Sequence, residues 1–118
     1  MATARTIRRL TDEPVDDATL ARCLQAATWA PNGAEAVQNF LLAARALGPG
    51  ACLTSWASYG GERLMREAVD VPGDWLMAGH VVIGWPRGKH GPLRRRPLRD
   101  VVYRDHWGEE PGPLAECP

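Results

Sequence analysis

The stretch from Ala34 to Leu47 leaves this chain few ways to fold. Val37, Phe40, Leu41, Ala44 and Leu47 recur at three- and four-residue spacing and predict one helical face, yet the other face is also mostly alanine and leucine. Gly48-Pro49 supplies the stop. A helix that is apolar nearly all round has to be covered on most sides. The chain has 118 residues, 45% of them hydrophobic, which predicts one small domain that can bury a core with little surplus area. A second subunit is the expected way to finish the covering.

The elements around that helix follow from caps and breakers. Asp16 or Asp17 predicts the start of an earlier helix with Leu20, Cys23, Leu24 and Ala27 inward, ending before Pro31. Gly60-Gly61 precedes a short helix expected to turn Leu64, Met65, Ala68 and Val69 inward and to close at Val71-Pro72-Gly73. His80 to Trp85, rich in β-branched residues, is the one clear buried-strand candidate, and Asp100 to Tyr103 predicts another short strand or an arm. The expected class is α+β: mostly helical, with a long buried central helix and one or two short strands. Residues 1–108 form the expected domain and 109–118 a Pro/Gly-rich tail.

Charge is balanced overall, with 14 Lys+Arg against 14 Asp+Glu, but it is uneven along the chain. From Arg87 to Arg104 seven basic residues face a single acidic one, Asp100. The Arg94-Arg95-Arg96 run in a Gly/Pro loop can gather guanidinium groups around a phosphate. No aromatic interleaving surrounds it, so no nucleic-acid partner is expected.

Cys23, Cys52 and Cys117 are odd in number and far apart, which predicts free thiols in a cytoplasmic protein. Cys23 reads as a small core hydrophobe and Cys52 as partly exposed. His80, His90 and His106 make no metal spacing with them, so no metal site is expected; His80 reads as a strand-edge residue and the other two as surface. No stretch approaches membrane-spanning length, and no membrane partner is expected. The five tryptophans read as core or interface anchors. Gly48 and Gly50 follow no strand and lack a third glycine, so they are not a dinucleotide fingerprint.

Several of these segments together carry a resemblance. Arg5 to Val15, then Leu24-Gln25-Ala26-Ala27-Thr28-Trp29-Ala30-Pro31-Asn32-Gly33, resemble the opening of the nitroreductase family of FMN enzymes. Gln38 to Gly50 is similar to that family's long central helix and following glycine turn, and Gly84 to Gly108 to its closing strand and arginine loop. In the family, a strand and a long middle region separate the Ala-Pro-Asn-Gly turn from the central helix. Here Gly33 runs almost directly into the helix, so the chain resembles a shortened member that lacks the middle of the family domain.

The resemblance implies a homodimer with FMN at the subunit interface. NADH or NADPH would reduce the flavin, and a nitroaromatic, quinone or related small-molecule acceptor would reoxidise it. No catalytic side chain is required, because the flavin carries the redox chemistry. The family motif implies that Arg5, with Arg9, meets the phosphate or ribityl chain, and that Pro31 and Asn32 lie against the flavin. It also implies that Gly48 and Gly50 allow close backbone approach, and that Arg95, with Arg96, closes on the phosphate. The missing middle suggests an alternative, a non-catalytic dimerising or flavin-sequestering remnant.

Overall fold

A computed structural model describes residues 3–113, without the side chains of residues 57 and 58. The first element, α1, spans Asp17–Thr28, and Asp16 caps it: its Oδ1 accepts from the Thr19 N–H at 2.9 Å. After the Pro31 turn, α2 spans Gly33–Leu47, with Asn32 Oδ1 accepting from the Glu35 N–H at 3.1 Å. Asn32 lacks a helical backbone conformation and so lets a second helix start within one turn of the first. Gly48 ends α2 at φ 117°, which glycine adopts without steric penalty.

The two helices pack side by side, and the Asn39 amide ties them by donating to the Ala26 carbonyl at 3.3 Å. Cys23 is fully buried, and Phe40, Ala44 and Ala51 complete the core, flanked by Leu20, Ala27, Leu41, Leu47, Val81 and Ile83. The long helix is buried along this one face; Leu42 and Ala43 are half-buried, and Ala34 and Ala46 are exposed.

Two strands follow, β1 (Gly50–Thr54) and β2 (His80–Gly84), paired antiparallel with Cys52 opposite Val82. Side chains alternate across a strand. Ala51, Val81 and Ile83 therefore meet the helices, while Cys52, Thr54 and Val82 face away from them. The N-terminal segment is strapped to this hairpin. The Ile7 N–H donates to the Ala51 carbonyl, Leu10 bridges Pro86, the Thr11 N–H donates to the Trp85 carbonyl, and the Arg87 N–H to that of Arg9. The Trp85 indole N–H reaches the Pro14 carbonyl at 3.2 Å.

Several expectations are corrected. The third helix, α3 (Glu62–Ala68), forms, but none of its residues is buried: Leu64 and Val69 are exposed because no layer lies over them. Its own ion pairs, Glu62 with Arg66 and Arg63 with Glu67, stabilise it instead. β2 is half-buried rather than buried, since only one of its faces is covered. Of its two expected forms, Asp100 to Tyr103 takes the arm: the 3-10 turn Leu98–Asp100 precedes coil that pairs with neither strand of the hairpin. Cys52 is buried, not partly exposed, and His90 is half-buried. Cys23 and Cys52 are free thiols, and Cys117 lies outside the described residues. Trp29, Trp75 and Trp107 are largely exposed and anchor no core in this chain.

The chain is also more open than its size requires. Its radius of gyration is 17.7 Å, against about 13–14 Å for a compact domain of this length. Its accessible surface is 9188 Å², about 2,900 Å² more than a folded monomer of this mass exposes. Among the described residues, no helix is long and apolar enough to cross a membrane.

Candidate functional site

Arg5 and Arg95, from opposite ends of the chain, line one cavity of about 440 Å³ together with Thr6, Gln38, Leu42 and Leu93. Two structural features bring them there. Ile7 is 2% exposed and seated on Gly50, which fixes the N-terminal segment against β1. Arg45, the one charged residue in the second half of α2, is a clamp: its Nε donates to Thr3 Oγ1 at 3.2 Å and its Nη2 to the His90 carbonyl at 3.0 Å. One side chain thus ties the segment bearing Arg5 to the loop that leads to Arg95. The signal of Arg45 in the sequence is a lone cation in the second half of a helix that is otherwise apolar from Phe40 to Leu47.

Among the described residues, no carboxylate forms an ion pair with Arg5 or Arg95. Two unneutralised guanidiniums, a glutamine amide and a threonine hydroxyl suit a phosphate, which accepts such donors in pairs. A second cavity of about 540 Å³ shares Ala4 and Leu42 with the first and continues past Asn39 and Ala26 to Trp29. This neighbour is mostly apolar and suits a planar ring, so the two cavities fit the phosphate and ring ends of a mononucleotide cofactor.

The other expected site residues fall elsewhere. Arg9 is exposed and contributes its carbonyl to the strap, and Arg96 is exposed beside the cavity without lining it. Asn32 spends its side-chain oxygen on the α2 cap, and Pro31 sits exposed in the turn before it. A Cβ built on Gly48 would lie 3.0 Å from the Trp85 ring, and one on Gly50 only 2.7 Å from Ile7 Cγ2. The close approach these glycines permit is therefore to Trp85 and Ile7, within the protein.

Burial pushes the Cys23 thiol up, with the nearby Arg22 opposing weakly, so this cysteine stays protonated and unreactive. Among the described residues, no group of three His, Cys, Asp or Glu could hold a metal ion.

Residues 1–36 match the Nitroreductase family. A 5,6-dimethylbenzimidazole synthase from Rhodospirillum rubrum is 38% identical over 55 residues, which make up 47% of this chain and 25% of that protein. The matched segment spans about a quarter of that relative. A crystal structure from Parabacteroides distasonis, provisionally named NADH dehydrogenase/NAD(P)H nitroreductase, superposes with a TM-score of 0.77 at 16% identity, covering 90% of this chain and 95% of that one. A provisionally named nitroreductase from Desulfovibrio desulfuricans in complex with FMN superposes at 0.69 and 21% identity, over 89% and 94%. At these identities the superpositions establish the shared fold.

Proposed function

We propose that this chain, whose residues 1–36 match the Nitroreductase family and whose fold is that of the superposed structures, is an FMN-dependent oxidoreductase of that family. NADH or NADPH would be the donor, and a nitroaromatic, quinone or related small molecule the acceptor. The observation that carries this reading is the meeting of Arg5 and Arg95 in one cavity. Both guanidiniums would hold the FMN phosphate, with Gln38 and Thr6 as further hydrogen-bonding groups, and Arg45 would hold the two segments in register. When bound, FMN supplies the exchange of a hydride with the nicotinamide and the transfer of electrons to the acceptor. The protein's own contribution is position and charge.

A homodimer is part of the proposal. Two chains together carry twice the excess surface, which meets or exceeds the about 2,000–5,000 Å² in total that obligate dimers bury, and the exposed faces of Leu24 and Trp29 are apolar. The visible spectrum of the purified protein after FMN addition and desalting, with its mass in solution, tests both parts. A retained flavin spectrum on a dimer, lost in Arg95→Gln, is expected. A colourless protein would overturn this reading in favour of a non-catalytic remnant.

The identity with the synthase favours a second reading, in which the same pocket serves formation of 5,6-dimethylbenzimidazole. Mass spectrometry of reactions containing FMN and NAD(P)H separates the two: that product supports the second reading, and acceptor reduction without it the first.

A further inference from the structure

The face of the hairpin turned away from the helices carries a different cavity, of about 500 Å³, lined by Arg8, Thr54, Ser55, Trp56, Tyr59 and Val82. Strand alternation separates it from the phosphate cavity: Ala51 borders the first, and Cys52 with its partner Val82 borders this one. The proposed flavin site makes no use of it.

Trp56 is held in place from behind. A Cβ on Gly61 would lie 2.6 Å from Trp56 Cδ2, so the indole packs directly on the backbone there, and the His80 ring lies 6.5 Å away at a tilted angle. Even so, Trp56 remains 49% exposed and lines the cavity, as does Tyr59, which is 84% exposed. A fixed indole with a free face is a stacking platform that loses little freedom when a ligand arrives.

Arg8 supplies the charge. Among the described residues it has no hydrogen-bond or ion-pair partner, while Arg63, Arg66, Arg87 and Arg99 each pair with a carboxylate. Its guanidinium can therefore take an anionic group without first giving up a partner. The Thr54 and Ser55 hydroxyls add two groups that can donate or accept. Cavities of this volume suit small organic ligands.

The geometry points to a second ligand site on the open face of the hairpin, which takes a planar aromatic carboxylate with its ring against Trp56 and Tyr59 and its carboxylate on Arg8. A neutral aromatic meets the platform but leaves the cation unused. A bare anion such as phosphate has no ring to stack. The site therefore selects for both features in one molecule.

The test is equilibrium dialysis of the whole protein against 1-naphthoate, with 1-naphthalenemethanol as the neutral analogue and inorganic phosphate as competitor. Naphthoate should bind at least about tenfold more tightly than the alcohol, the worth of one charge-assisted hydrogen bond. Arg8→Gln should remove that preference while leaving the alcohol's affinity unchanged. Trp56→Leu should weaken both ligands several-fold, and circular dichroism of each variant checks that it folds. Arg95→Gln should change neither affinity. Equal binding of the two aromatics, or an Arg8→Gln variant that keeps the preference, overturns the site. So does loss of naphthoate binding in Arg95→Gln or its displacement by phosphate, since either puts the anion in the other cavity. None of these readouts depends on FMN, so they stand apart from the test of redox function.

Discussion

In the α1 and α2 pair, residues that touch are also close in sequence, and Cys23, Phe40 and Ala44 form a core between helices joined by a four-residue turn. From Pro86 to Pro113 the chain's only regular helical structure is short 3-10 turns, and Pro111 is its only buried residue among those described. A few long-range polar ties position this segment: Leu10 with Pro86, Arg87 with Arg9, and Arg45 with His90. The helical pair is held by area, the arm by addressed contacts. Hence the arm can carry seven basic residues that a core would not tolerate, and it can still bring one of them, Arg95, to a defined place.

If that contrast is right, truncating the core should do the most damage. Phe40→Ala should cost about 3–5 kcal/mol, enough to abolish cooperative melting by circular dichroism in a domain this small. Gly50→Ala strikes the junction between the two regions, where the added methyl meets Ile7. It should cost about 1–3 kcal/mol of stability and also loosen the Arg5 segment, read as faster amide exchange at Ile7. The Asp16 cap gives a smaller, pH-dependent effect. The Thr19 backbone N–H, and then its hydroxyl, hold this carboxyl below its ordinary pKa. Its contribution is thus complete above the usual carboxylate range and disappears as the pH falls through the lowered value. Asp16→Asn should flatten that acid limb of the melting profile. Arg94→Gln, on the arm, should shift stability by less than about 0.5 kcal/mol. A larger loss would mean that the arm is packed after all.

What the sequence disclosed divides along the same line. Both long helices could be read from Asp16, Pro31 and Gly48, because caps and stops act within a few residues of themselves. The strand Gly50–Thr54 was not anticipated: it is poor in β-branched residues, and its pairing with His80–Gly84 is settled by a partner thirty residues away. The alternation of Ala51 and Leu53 with Cys52 and Thr54 was its available signal. The apolar residues of α3 suggested burial, but a pattern cannot say whether a second layer exists to receive it. Of the eight expected site residues, the cavity gathers Arg5 and Arg95; spacing alone could never join them, and family resemblance did. Asn32, Gly48 and Gly50 illustrate the opposite lesson, since capping and close packing already account for residues that a ligand could also explain.

The strap formed by residues 7–11 has a consequence for biosynthesis. Its partners are Ala51, Trp85, Pro86 and Arg87, so this segment leaves the ribosome well before the residues on which it docks. The helical pair can form while the strap still waits for its strand. The Arg5 and Arg95 cavity is then assembled only after Arg95 itself has been made, so the two guanidiniums cannot act together on an anion before that point.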